Sequence, residues 1–239
     1  MADLPGLIVL ADGVQAAFAA GVVAELERSG VHWREGVGAG LGAQVAALAL
    51  LGEAGEAERR WLRQADLGCP LLRSRLENGL RRHPSVTGLL ILPDLLTMSG
   101  WLDPEELEEY LAPEAAGLPV RLTARGARLW VAVEDLRAAA RKWVEISTGE
   151  ALAAAVTLRA AASFTGGWPP VEEEQPGGAV LSGGVGALPA RLPEWEARAG
   201  FAVCGFPVPA VARPAAPANL IEILQRREET AAAEVWSRA

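Results

Sequence analysis

The chain has 239 residues, a formal net charge of −8 and 51% hydrophobic residues. One α/β domain of this size is ordinary, and it buries enough apolar surface to fold without disulfide or metal staples. The acidic balance argues against a general nucleic-acid binder, which needs a basic surface. Two cysteines, Cys69 and Cys204, cannot build a disulfide framework or a tetrahedral zinc site. With only two histidines, the composition disfavours metal chemistry, and we expect neither a metal nor a cofactor.

The N-terminus has no basic region ahead of an apolar stretch, so no signal peptide is evident. The longest charge-free apolar run lies between Glu35 and Glu53 and holds 17 residues. That run is short for a membrane span, and a buried core helix explains it better. We therefore expect no transmembrane segment and a cytoplasmic location.

The first predicted unit is a buried strand, a tight turn and a helix. The strand covers residues 7–10 and stops at Ala11-Asp12-Gly13. The helix runs over residues 14–29, and Gly30 ends it at the C′ position. Its predicted apolar stripe consists of Val14, Phe18, Val22 and Leu26.

The second unit repeats this order. Residues 33–37 predict a short strand, and the glycine-rich residues 38–42 predict a sharp turn into a helix over residues 43–51. Because that helix is apolar on every side, we expect it in the middle of the domain.

The remaining elements alternate in type. Residues 52–119 are mostly helical, with Asp103 as an N-cap and Pro104 at the first helical position. Strands are predicted over residues 129–133 and 143–146, paired with each other, and over 179–181 and 201–206. A helix covers residues 150–162, residues 212–218 form a connector, and Asn219 caps a last helix with the stripe Leu220, Leu224, Ala231 and Val235. This pattern predicts one α/β domain over residues 1–239, with a mostly parallel sheet.

Five segments in this order carry a further pattern. Residues 10–22 hold the first turn and helix, residues 37–43 read Val-Gly-Ala-Gly-Leu-Gly-Ala, and residues 100–103 read Gly-Trp-Leu-Asp. Residues 159–171 run from Arg159 through Ser163 to Trp168-Pro169-Pro170, and residues 181–189 contain Ser182-Gly183-Gly184. Together these segments resemble the patatin-like phospholipases across nearly the whole chain. The resemblance implies a three-layer sandwich with a central, mainly parallel sheet wrapped by helices.

The resemblance also implies which positions would carry chemistry. In that family a Ser/Asp dyad hydrolyses acyl esters of lipids, with the serine at a nucleophile elbow and a glycine-rich loop binding the oxyanion. Here the elbow position is Gly40, flanked by Gly38 and Gly42, and the dyad aspartate position is Ser182. Glycine offers no nucleophile, and a serine hydroxyl is a poor general base.

The oxyanion loop departs from the family pattern as well. Its positions are occupied by Ala11, Asp12, Gly13 and Gln15, followed by Ala16 where the pattern has its last glycine. Loss of one oxyanion donor typically costs ~10²–10³ in rate. Asp12 would in addition place a carboxylate beside the anion that the loop should stabilise. Glycine tolerates positive φ, so Gly40 keeps the turn while removing the nucleophile.

These departures predict a catalytically inactive patatin-like protein, a pseudo-hydrolase that binds an acyl lipid or pairs with an active relative. The alternative is an active lipid acyl hydrolase of the phospholipase A or lipase type, with relocated catalytic residues. Ser163 or a Ser182/Asp12 pair could serve it if their loops converge. A turn-capping role for Ser182 is the simpler interpretation.

Other motifs have plainer interpretations. Residues 36–42 could form a dinucleotide-binding turn, but Leu41 replaces the last glycine and no acidic residue follows at the required distance. His32 and His83 have no partner at metal-ligand spacing, and Cys69 and Cys204 suit apolar packing. A local basic cluster could meet anionic lipid or form a solvated face, and it consists of Arg73, Arg75, Arg81 and Arg82. The scattered tryptophans predict core packing more than a ligand groove: Trp61, Trp101, Trp130, Trp143, Trp168, Trp195 and Trp236.

Overall fold

Seven strands and six helices are seen in the part of the chain that the structure, a computed structural model, describes. The described residues are 5–73, 102–115, 117–148, 150–164, 167–172, 178–195 and 200–204. The strands are β1 (Gly6–Ala11), β2 (Glu35–Gly40), β3 (Arg128–Asp135), β4 (Ala140–Glu145), β5 (Val171–Glu172), β6 (Val180–Ser182) and β7 (Gly200–Cys204). The helices are α1 (Gln15–Arg28), α2 (Gly42–Leu50), α3 (Ala54–Asp66), α4 (Pro104–Ala115), α5 (Leu118–Ala124) and α6 (Ala151–Ala162).

The strands form one mixed sheet in which the central pairings are parallel. β7, β1, β2 and β3 lie side by side in that order, each parallel to its neighbour. β4 and β6 both pair antiparallel with β3, and β5 pairs antiparallel with β6. The α/β class with a mainly parallel sheet is therefore confirmed.

Strand β6 lies beyond the carboxyl end of β2, along the same edge of β3. Glu134 of β3 pairs with Arg141 of β4 and with Ser182 of β6, so β4 and β6 occupy opposite edges of β3. Val131 pairs with β4 and with Gly38 of β2 in the same way. β2 and β6 therefore share one edge of β3. β6 lies beyond the carboxyl end of β2, and its last residue, Ser182, is the residue of β6 nearest to β2.

Two buried clusters cover the two faces of the sheet. All six described helices contribute to the larger one, which includes Leu7 and Val9 of β1. Leu10 belongs to the smaller cluster, because successive strand residues point to opposite faces. Every residue of α2 is buried, which confirms the prediction of a central helix.

The predicted apolar stripe of α1 is wrong. The buried face of α1 consists mainly of alanines, whereas Val14 and Phe18 are each 63% exposed. A spacing of four residues advances by about 400° around a helix, so each step moves about 40° further round. Val14, Phe18, Val22 and Leu26 thus start on the solvent side and reach the core only at Val22 and Leu26, which are partly buried.

Several boundaries differ from the predictions by a few residues. Strand β2 begins at Glu35 and includes Gly38 and Gly40, so the predicted turn starts three residues later than expected. The paired strands β3 and β4 and the N-cap at Asp103, whose Oδ1 accepts a hydrogen bond from the Glu105 N–H at 3.1 Å, are confirmed. Strand β7 ends at Cys204 within the described residues, and the connector at 212–218 and the last helix lie outside them.

Candidate functional site

The site lies where β1 and β2 end beside each other. Ala11, the last residue of β1, is the register partner of Gly40, the last residue of β2. The carboxyl ends of parallel strands meet at one edge of the sheet, so the loops leading into α1 and α2 are neighbours there. β6 lies beyond the carboxyl end of β2 with its last residue, Ser182, nearest to β2, so Ser182 is brought to the same edge of the sheet.

The elbow between β2 and α2 is a tightly packed glycine turn. Gly40 is buried and has a φ of +63°, a conformation that side chains disfavour. A Cβ on Gly38 would lie 2.9 Å from the backbone nitrogen of Ala43, and one on Gly42 would lie 2.6 Å from the carbonyl oxygen of Val9. The chain's own packing thus explains these glycines, which favours the elbow interpretation over a dinucleotide-binding turn.

The side chain of Asp12 occupies the space above Gly40. A Cβ placed on Gly40 would overlap both Asp12 Oδ1 and the carbonyl oxygen of Ala11, and it would lie 3.0 Å from the carbonyl carbon of Ala11. Asp12 Oδ1 is itself buried. A carboxylate oxygen therefore stands where any side chain on residue 40 would begin.

The same carboxylate reaches the loop after β6. The backbone N–H of Val185 donates a hydrogen bond of 2.8 Å to Asp12 Oδ2. Gly184, one residue earlier, has a φ of +78°, and a Cβ there would lie 3.2 Å from Oδ2. Asp12 thus connects the first loop of the domain to the turn at residues 183–185.

Ser182 makes the backbone contact expected of a turn-capping serine. Its hydroxyl donates to the carbonyl of Ser163 at 3.1 Å, and the Gly183 N–H donates to the same carbonyl at 2.6 Å. The Gly184 N–H donates to Ala161 at 2.7 Å, and the hydroxyl of Ser163 donates to Arg159 at 2.9 Å. The turn after β6 therefore closes the C-terminal end of α6, and both serine hydroxyls donate to main-chain carbonyls.

Two backbone amides at the predicted oxyanion loop donate within the turn that starts α1. Gly13 has a φ of +49°. The Gln15 N–H donates to the Asp12 carbonyl at 3.0 Å, and the Ala16 N–H donates to the Gly13 carbonyl at 3.2 Å. These two amides are used within the loop's own turn, so neither is available to an oxyanion in this arrangement.

The structure adds contacts that sequence reasoning missed. The Val185 N–H is a partner of Asp12, and Phe164 lies against Gly184, where a Cβ would meet the Cβ of Phe164 at 3.0 Å. The ring of Phe164 also packs edge-on against the fully buried Trp168 at 5.9 Å. No local sequence signal marks these contacts, because they join residues that are far apart along the chain.

The other candidate residues lie away from this site or outside the described residues. His32 is exposed, and Arg73 donates hydrogen bonds to the carbonyls of Leu67 and Gly68. Burial raises the pKa of the half-buried Cys204 thiol, and that side chain packs against the smaller core cluster.

Outside the described residues lie His83, Trp101, Trp236, Arg75, Arg81 and Arg82. Trp33, Trp61, Trp130 and Trp168 are buried, as core packing requires.

Comparisons with known proteins identify the domain type. A family model for patatin-like phospholipases matches residues 13–192. Among solved structures, the crystal structure of VipD from Legionella pneumophila is similar, with 14% sequence identity and a TM-score of 0.43. The match covers 76% of this chain and 46% of VipD, so the chain corresponds to about half of that protein. Among curated protein sequences, none matches this chain.

Within the described residues, no helix is both long and apolar enough to cross a bilayer.

Proposed function

Because this chain belongs to the patatin-like phospholipase family, we propose that it is a catalytically inactive member that binds an acyl lipid or a partner protein without hydrolysing lipid esters. The observation that carries this proposal is the position of Asp12, whose carboxylate fills the space above Gly40. A cytoplasmic location remains a prediction from the sequence.

The chemistry of ester hydrolysis supports the proposal. Acyl transfer at this site needs a nucleophile, a base to activate it and donors for the oxyanion. Residue 40 has no side chain, and the Ser182 hydroxyl donates to the carbonyl of Ser163. A carboxylate at the elbow would also repel the negative charge that develops on the carbonyl oxygen of the substrate.

A fluorophosphonate probe and a fatty-acyl ester assay on the purified protein test for residual hydrolysis. We expect no serine to be labelled and no turnover above that of buffer. Labelling of one serine, together with turnover that disappears when that serine is mutated, would establish the alternative of an active acyl hydrolase with relocated residues.

A restoration series tests the role of Asp12. We expect Gly40→Ser with Ser182→Asp to restore little ester hydrolysis, because the new serine side chain would overlap Asp12 Oδ1. Adding Asp12→Gly removes that overlap and the adjacent charge, while the carbonyl oxygen of Ala11 still crowds residue 40. The triple variant should therefore exceed the double variant by about tenfold, less than the ~10²–10³ of a complete oxyanion donor.

The control for this series carries Asp12→Gly, Ser182→Asp and Gly40→Ala, which restores a side chain at residue 40 without a nucleophile. Thermal melts establish that each variant is folded. Robust turnover by the double variant, or turnover by the alanine control, would contradict the assigned role of Asp12.

The binding role is tested by extracting lipid from the purified protein and identifying it by mass spectrometry, and by co-purification with a patatin-like relative. We expect one of the two ligands in near-stoichiometric amount. Absence of both would contradict the binding role while leaving the loss of catalysis intact.

A further inference from the structure

The carboxylate of Asp12 lies between two glycine backbones. A Cβ on Gly40 would overlap Asp12 Oδ1, and a Cβ on Gly184 would lie 3.2 Å from Oδ2 and 3.5 Å from Oδ1. Both glycines have a positive φ, +63° for Gly40 and +78° for Gly184. Side chains at these two positions would crowd a carboxylate, whereas the two glycines leave room for one.

The space between the glycines also contains a donor that suits an anion. The Val185 N–H donates a hydrogen bond of 2.8 Å to Asp12 Oδ2. Asp12 is fixed from its own side as well, because its carbonyl accepts the Gln15 N–H in the turn that starts α1. The Asp12 side chain therefore crosses from the β1–α1 loop to the turn after β6.

We propose that Gly40, Gly184 and Val185 form a carboxylate-binding site, and that the chain fills this site with Asp12 as an internal ligand. The site recognises a carboxylate through the Val185 N–H, and it admits one because residues 40 and 184 have no side chains. This inference goes beyond the proposed function, since it concerns what holds the elbow to the turn after β6, with or without a bound lipid.

The internal ligand holds one side of the turn after β6. On the other side, the N–H groups of residues 183 and 184 donate to main-chain carbonyls at the C-terminal end of α6. Val185 belongs to the smaller core cluster. If the Asp12 carboxylate is removed, the bonds to α6 remain, so residues 185–188 should loosen while the rest of the domain stays folded.

Small carboxylates can replace the deleted side chain in two variants. Asp12→Ala leaves a gap of the size of formate, and Asp12→Gly leaves a gap of the size of acetate. Asp12 is only partly buried, so a small anion can enter from solvent. A ligand of three or four heavy atoms binds no more tightly than about millimolar, so roughly 100 mM of each anion is used.

Hydrogen exchange of residues 185–188, measured by mass spectrometry, tests whether the site is occupied. We expect Asp12→Ala to exchange there about tenfold or more faster than wild type, the scale of a hydrogen bond to a charged group. Formate should restore most of the lost protection in Asp12→Ala, and acetate should do so in Asp12→Gly. Acetate should protect Asp12→Ala less, because the Cβ of alanine occupies the place of the acetate methyl group.

Two kinds of control separate binding from a general effect of salt. Sodium chloride at the same concentration should restore neither variant, and formate should leave wild type unchanged because Asp12 already occupies the site. Asp135 is the matched residue, since its Oδ1 also accepts backbone N–H groups, from Arg137 at 3.0 Å and from Ala138 at 3.1 Å, but in an exposed turn. Formate should not slow exchange at residues 137–138 in Asp135→Ala.

Two results would overturn the proposal. One is an Asp12→Ala chain that exchanges like wild type at residues 185–188. The other is protection that formate, acetate and chloride restore equally, or that formate also restores in Asp135→Ala.

If Asp12→Ala proves unfolded, thermal melts of Asp12→Asn decide the question, because asparagine keeps an acceptor oxygen of the same reach. We expect its Tm to lie between those of wild type and Asp12→Ala, and a Tm no higher than that of Asp12→Ala would contradict the proposal. These measurements do not depend on fluorophosphonate labelling or on extracted lipid, so the proposed function can fail without affecting them.

Discussion

The glycines of the elbow show how a single residue type serves different needs. Gly38 and Gly42 are glycine because the start of α2 presses against β2 and β1, and neither backbone can move away. Gly40 is glycine because of its positive φ, the carboxylate of Asp12 above it and the carbonyl oxygen of Ala11, which a Cβ would also overlap. The pattern of alternating glycines therefore belongs to the packing of the turn and can persist without a nucleophile.

Gly38→Ala tests this packing argument. The new Cβ would lie 2.9 Å from the nitrogen of Ala43 and would push α2 away from the sheet. We expect a loss of about 1–3 kcal/mol or more in the free energy of unfolding, measured by urea denaturation. Gly186→Ala is the control, because a Cβ there meets nothing within 4 Å, and its effect should stay within about 0.5 kcal/mol. Equal effects of the two variants would show that the elbow can relax.

At the scale of elements, α1 is buried on one face only, whereas α2 is buried on every side. All nine residues of α2 are buried, because the helix lies between the sheet and the other helices. α1 buries a face made mostly of alanine and leaves Val14 and Phe18 in solvent. Small residues let α1 pack closely against its neighbours, chiefly α3 and α2, so hydrophobicity alone misidentifies its buried face.

One leucine of α2 and one of α6 allow a buried and an exposed helix position to be compared directly. Leu48 of α2 is 1% exposed, and Leu152 of α6 is 70% exposed. Leu48→Ala should cost about 2–5 kcal/mol of stability through lost burial and a cavity. Leu152→Ala should change stability by less than about 0.5 kcal/mol. Chemical denaturation of both variants provides the comparison, and a small loss for Leu48→Ala would place α2 outside the core.

At the scale of the whole molecule, one cluster of ion pairs joins the strands at the end of the sheet opposite the candidate site. Arg128 at the start of β3 lies 3.6 Å from Glu35 of β2 and 3.3 Å from Glu145 of β4, and its guanidinium stacks on Trp130 at 4.4 Å. Burial by itself would raise the pKa of Glu145, but hydrogen bonds from Arg128 and Ser147 outweigh it and lower that pKa. The ionised form of Glu145 is therefore favoured in the folded protein.

This cluster predicts a pH dependence of stability. A carboxyl whose pKa is lowered by folding stabilises the protein above its unfolded pKa of about 4.3, and it loses that contribution as the pH falls through the folded pKa. Wild type should exceed Glu145→Gln by about 0.5–1 kcal/mol in unfolding free energy at pH 7, and by progressively less below about pH 4.5. In an Arg128→Gln background the Glu145→Gln change should have little effect, and an undiminished effect there would exclude Arg128 as the cause.

Local patterns in the sequence were sufficient to predict most of the strands and helices of the described residues and the family of the protein. Alternating strand and helix signals predicted β1, α1, β2, α2, β3, β4 and α6 to within a few residues. The glycine turns and the order of motifs indicated the patatin-like family that the family model confirms. The sequence itself shows that Gly40 and Ser182 stand where the family resemblance places the dyad, because the identity of a side chain needs no fold to establish it.

Tertiary structure decided what local patterns cannot specify. The overlap of Asp12 with the space above Gly40 depends on the register that pairs Ala11 with Gly40. The bond from the Val185 N–H to Asp12 joins residues 173 positions apart. Which face of α1 is buried depends on how its alanines pack against α3 and α2. The sequence determined that Gly40 and Ser182 occupy the positions where the family resemblance places a catalytic dyad, and long-range packing decided which groups surround them.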